Sequence, residues 1–132
     1  MGKIEKFEDI LAWQKARALT KEVYGASTTE PFRSDFGLRG QLQRASVSTM
    51  SNIAEGFERG GNKEFLQFLS HAKGSCGEVR SDLYVALDQG YLTTAKFELL
   101  REQSLEVSRL LSGFMDYLRN SELRGDKFRR RQ

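Results

Sequence analysis

A chain of 132 residues with one proline, 39% apolar and 30% charged residues points to one soluble, helical domain that buries a core without a disulfide or metal. One cysteine, no apolar run near the ~18 residues of a membrane span, and an opening MGKIEKFEDI with neither an apolar signal region nor a Ser or Thr at position 6 argue against a disulfide framework, a membrane span, secretion and myristoylation, so a cytoplasmic protein is expected. The net charge of +3 is uneven: residues 1–118 hold 15 Lys and Arg against 16 Asp and Glu, whereas residues 119–132 hold six against two.

The first helix is expected over Phe7 to Tyr24, with Ile10, Leu11, Trp13, Leu19 and Val23 as its apolar positions. GASTTEPFRS follows as a loop, and Ser34 or Asp35 is placed to cap a second helix running to about Glu58. Gly60 and Gly61 break the chain, and Asn62 is the expected cap of the third helix. In that helix Phe65, Leu69, Ala72, Cys76, Val79, Leu83 and Ala86 alternate steps of 4 and 3, a heptad-like seam suited to left-handed packing. Gly90 ends it and Thr93 or Thr94 restarts the chain. The fourth helix repeats the rhythm at Phe97, Leu100, Ser104, Val107, Leu111, Phe114 and Leu118, and Leu99, Leu105, Leu110 and Met115 widen its apolar face. Long helices with short connections lie antiparallel, so the expected fold is all-α: an up-down-up-down four-helix bundle over residues 1–120, followed by a basic, flexible tail over 121–132.

The most informative stretch is QLQRASVSTMSNIAEGFER, residues 41–59. Gln41, Arg44, Ser48, Asn52, Glu55 and Arg59 follow at spacings of 3, 4, 4, 3 and 4 and share one narrow arc of a helix. A solvated face normally carries scattered Lys and Glu. Here a single file of directed hydrogen-bonding groups stands beside Ser46, Thr49, Ser51 and Gly56, as in a packed assembly, with an ordinary solvated face as the alternative. Glu55 is placed to pair with Arg59 one turn on, and Arg44 to meet a carboxylate of another helix. Gly74 and Gly77, flanking Ser75 inside the third helix, point to close approach of another backbone, either the second helix or a neighbouring subunit.

Catalytic chemistry finds little footing. The single histidine, His71, follows Phe68 by three residues, so no di-iron Glu-x-x-His motif exists. Glu64, His71 and Glu78 stand seven apart, about 10 Å per step along a helix, too far for one ion. His71 and Cys76 point about 140° apart on one helix, which leaves Cys76 as a buried structural thiol and His71 on the surface or at an interface. Ser75 lacks the strand and spacing of a nucleophile elbow, and no phosphate-binding glycine motif is present. No catalytic residue, metal or cofactor is therefore expected.

The tail carries Arg124, Lys127, Arg129, Arg130 and Arg131, candidate contacts to RNA, DNA or an acidic protein face. Arg44 and Arg59 join them if the polar file faces a pore. Such contacts give affinity without sequence preference, and neither an RNA-recognition motif nor an aromatic series suited to base stacking is visible.

Residues 41–59 and EFLQFLSHAKGSCGEVRSDL at 64–83 resemble the four-helix-bundle family of proteins encoded in 23S rRNA intervening sequences, often labelled S23 ribosomal protein. FEDILAWQKARALTKEVY at 7–24 and the Gly90-Tyr91-Leu92 turn resemble it as well. The likeness spans about residues 7–118. It implies a bacterial protein whose bundles assemble into a ring, a homopentamer, with a distant similarity to the accessory protein of diversity-generating retroelements, which works with a reverse transcriptase and binds nucleic acid. It brings no catalytic residues. Gln41, Arg44, Ser48, Asn52, Glu55, Arg59, Gly74, Ser75 and Glu78 match the family motif and are read as assembly positions or the lining of a ring. Two functions follow: a non-catalytic, ring-forming protein that binds nucleic acid, RNA before DNA, or a protein-interaction scaffold with an acidic partner and no nucleic-acid role.

Overall fold

The computed structural model describes the backbone of residues 3–131 and the side chains of residues 3–121. The side chains of Arg124, Lys127, Arg129, Arg130 and Arg131 lie outside these described residues. Four helices carry the chain: α1 (Leu11–Ser27), α2 (Phe36–Arg59), α3 (Asn62–Asp88) and α4 (Thr94–Arg131), with 3-10 turns at Phe7–Asp9 and Phe32–Ser34. Among the described residues there is no strand.

Each helix packs on its neighbours in the chain, and α1 closes the square against α4. The side-chain contacts run in opposite directions on each pair. From α3 to α4, Phe65 meets Phe114 at 5.4 Å between ring centroids, Cys76 meets Ser104, and Tyr84 meets Phe97 at 4.9 Å. From α1 to α4, Lys15 pairs with Glu106 and Glu22 with Lys96. From α1 to α2, Thr20 donates to the Ser46 carbonyl, while Gln43, earlier on α2, donates to Ser27, later on α1. From α2 to α3, Ser48 meets Ser75 and Gly56 meets Phe68; together these registers make every adjacent pair antiparallel, which is an up-and-down bundle.

The core forms where the helical period concentrates apolar side chains. All seven residues of the α3 seam are buried, as are Phe97, Leu100, Ser104, Val107, Leu111 and Leu118 on α4. Phe114 is only partly buried. Of the flanking positions on α4, Met115 is buried, Leu105 and Leu110 are half-buried, and Leu99 is exposed. On α1, Leu11 is exposed, and the small Ala12 and Ala16 take the inward positions beside Leu19 and Val23.

The helix ends follow local chemistry. The expected first helix begins instead as a 3-10 turn, because the Asp9 carboxylate accepts from the backbone N–H groups of Glu5 and Lys6 at 3.0 and 3.2 Å and Ile10 is extended. Asp35 caps α2, accepting from Leu38 N–H at 3.1 Å through one oxygen and from the Tyr91 hydroxyl at 3.0 Å through the other. Tyr91 also stacks on Phe32 at 5.2 Å. The expected cap Asn62 is instead the first helical residue of α3, since extended Gly61 takes the cap position without a side-chain bond. Gly60 and Gly90 adopt positive φ, 84° and 76°. At Gly90 the Tyr91 N–H reaches the Ala86 carbonyl and the Gly90 N–H that of Leu87, a Schellman closure that favours glycine. Thr93 caps α4 by accepting from Lys96 N–H at 3.1 Å.

Candidate functional site

The polar file of α2 divides where α3 crosses it. At its centre Ser48 and Asn52 are half-buried. The Ser48 and Ser75 hydroxyls lie 2.9 Å apart, and the Asn52 amide donates to the Ser48 carbonyl at 2.9 Å and to its hydroxyl at 3.1 Å. Ser48, Asn52 and Ser75 therefore form one network that fixes the register of α2 on α3. One turn further, Gly56 is buried, and a Cβ there would stand 2.6 Å from the Phe68 Cβ and 3.0 Å from a Phe65 ring carbon. The close helix approach is thus at Gly56. Gly74, expected to receive either the second helix or a neighbouring subunit, is exposed with nothing within 4 Å of its Cβ direction, and at Gly77 the nearest such atom is the Arg80 guanidinium at 3.7 Å. Both glycines face away from the α2 contact.

The rest of the file is open. Gln41, Arg44, Glu55 and Arg59 are exposed, and Glu78 lies exposed on α3. Arg59 pairs with Glu55 at 3.2 Å and stands over the Phe68 ring at 5.4 Å from its centroid. Arg44 meets no carboxylate of another helix: among the described residues it has no ion pair, and its guanidinium folds back along α2 against Gly40, 3.0 Å from where a Cβ would sit. Glycine at position 40 leaves the space for that fold.

Sequence reading missed two buried polar features. Asp82, on α3 one turn past Glu78, is 6% exposed and its Oδ2 has no hydrogen-bond partner. Burial, with the Glu78 charge adding to it, raises its carboxyl above the ordinary value. Its place between Val79 and Leu83 of the seam was the available signal. The second is a bridge from α3 to α4. The Cys76 thiol donates to the Ser104 carbonyl at 3.1 Å, the Ser104 hydroxyl donates to the Cys76 carbonyl at 3.1 Å, and Arg80 donates to that hydroxyl at 3.2 Å. Burial pushes the Cys76 thiol up, only partly opposed by Ser104 and Arg80.

His71 is exposed at the edge of the Phe68 ring while Cys76 is fully buried, so the two do not meet. Ser75 bonds to a hydroxyl rather than to a base. Among the described residues no group of three or more His, Cys, Asp or Glu is placed to hold a metal ion, and no helix is long and apolar enough to cross a membrane. What this face does offer is directed hydrogen bonding and exposed guanidinium groups.

A family profile described as 23S rRNA-intervening sequence protein matches residues 8–113. A crystal structure of a protein of unknown function from the S23 ribosomal protein family of Bacteroides thetaiotaomicron is similar in fold, with a TM-score of 0.73 at 20% identity, covering 80% of this chain and 98% of that one. Neither description names a reaction. No curated protein matches the chain.

Proposed function

Because the chain belongs to the 23S rRNA-intervening sequence protein family, we propose that it is a non-catalytic bundle that assembles with copies of itself into a ring, five in number, and binds nucleic acid, RNA in preference to DNA. The divided polar file carries this reading. Its centre is committed to the α2–α3 register, while Arg59 is exposed and paired with Glu55, and Arg44, about 22 Å earlier on the same arc, is exposed and free of carboxylates among the described residues. A guanidinium in that state binds phosphate oxygens well. The basic residues 124–131 add cationic groups by sequence, and assembly multiplies them on one particle.

Anisotropy titration of the nuclease-treated protein with labelled structured RNA and duplex DNA, across a salt series, tests the proposal. Tight binding that weakens steeply with salt, with RNA preferred, is the expected result. Absence of binding at low salt would remove the nucleic-acid half of the reading.

One observation favours the scaffold alternative. A groove of about 380 Å³ between the start of α1 and the later part of α4 is lined by Ile4, Ile10, Leu11, Leu110, Phe114 and Tyr117 among others, and Leu11 and Tyr117 are half-exposed. Apolar surface of this kind suits a protein partner. Selective recovery of one protein after nuclease treatment would support that reading.

A further inference from the structure

Phe36, the first residue of α2, is 71% exposed, the most exposed of the large apolar side chains among the described residues. Three arginines lie within about two helical turns of it in the chain. Arg39 stands over the ring, with its guanidinium carbon 4.9 Å from the ring centroid, and donates to the Arg33 carbonyl at 3.0 Å. Arg33 itself is exposed in the preceding turn. Arg44 lies about two turns on: Phe36, Gly40 and Arg44 follow at steps of four on one face, and the Arg44 guanidinium folds back into the notch at Gly40, about one turn from Phe36. None of the three forms an ion pair among the described residues. The one nearby carboxylate of the cap, Asp35, is occupied by Leu38 N–H and the Tyr91 hydroxyl, and its bonds to α2 and Tyr91 hold the platform in place.

We propose that Phe36, with Arg33, Arg39 and Arg44, forms a stacking platform for an unpaired base of single-stranded nucleic acid, the arginines taking the flanking phosphates. The proposal rests on the nucleic-acid reading above and gives it a site and a strand type. An exposed aromatic ring among unpaired guanidinium groups offers the two things a single strand presents and a duplex hides: the face of a base and a closely following phosphate. An acidic protein surface would use the charges and leave the ring without a partner. In a duplex the bases are already stacked on one another.

The test compares a labelled oligouridylate, an abasic strand of the same length and an RNA hairpin, each titrated with wild-type protein, Phe36→Ala, Phe36→Trp and Arg44→Gln. The ring is exposed, so the variants are expected to keep the wild-type melting curve and assembly mass. Phe36→Ala is expected to bind oligouridylate about tenfold more weakly, with the abasic strand unaffected and Phe36→Trp restored. Arg44→Gln is expected to lower the salt slope for single strands by about 0.7. Salt-dependent wild-type binding that Phe36→Ala leaves unchanged would overturn the platform and spare the broader reading. No binding of any strand by the wild type would overturn both. A change of assembly mass in Phe36→Ala, with oligouridylate affinity intact, would overturn the platform in favour of a contact between copies.

Discussion

At the scale of single residues, two buried groups carry testable consequences. The Asp82 carboxyl is raised by its burial and by the Glu78 charge. A carboxyl raised on folding contributes stability that is complete below the ordinary carboxyl range and is lost as pH rises through its folded value. At neutral pH the charged form with its unpartnered Oδ2 is therefore a cost. Asp82→Asn should stabilise the protein at neutral pH by on the order of 1 kcal/mol, with the advantage fading as pH falls through the raised folded value of Asp82 and gone below about 4; parallel urea titrations at neutral pH and below about 4 would measure it. Cys76 is fully buried and its thiol is pushed up by that burial. It should resist a thiol reagent such as DTNB in the native protein at mildly alkaline pH and react fully in denaturant; rapid native labelling would contradict the described burial. Neither environment was fully legible in the sequence. The seam placed Cys76 inside, but Asp82 stands at its margin, and the helical period alone does not say whether a margin is covered by the next helix.

At the scale of elements, the α2–α3 pair is the tightest part of the bundle. The Ser48–Ser75 contact and the Gly56 notch against Phe68 set one register. In Gly56→Ala a helix-propensity gain of up to about 1 kcal/mol meets a clash with the side chains of Phe68 and Phe65, so a net loss of about 1–2 kcal/mol is expected; a denaturation midpoint equal to wild type would show that α3 gives way freely. The same pair shows where sequence reasoning stops. The period of α3 identified every seam residue, because burial on one helix is periodic. It did not tell which part of the Gln41–Arg59 file α3 would cover, because that depends on the register of two helices separated by a loop. Likewise it marked Gly74 and Gly77 for close approach of the second helix or a neighbouring subunit, and within the chain it is Gly56 that receives the other helix: a glycine in a helix announces space without saying what fills it. Asn62 was the chemically sensible cap, yet extended Gly61 took the position.

At the scale of the molecule, the antiparallel square of helices leaves two unlike surfaces: the exposed arginines of α2 and the apolar groove beside the start of α1. Binding of nucleic acid by an assembly of such chains should depend on total charge. Arg129, Arg130 and Arg131 replaced together by Gln should lower the salt slope by about 2 for single strands if all three meet phosphates, and weaken binding evenly across sequences. An unchanged slope would remove these three arginines from the phosphate contacts.

The central claim joins self-assembly to nucleic-acid binding, and one measurement addresses both. Native mass spectrometry of the nuclease-treated full chain, alone and with a structured RNA, should give a multiple of the 15.1 kDa chain mass, five in the ring proposed, and a further species heavier by the RNA. A mass of one chain at every concentration, with the RNA always free, would contradict the account.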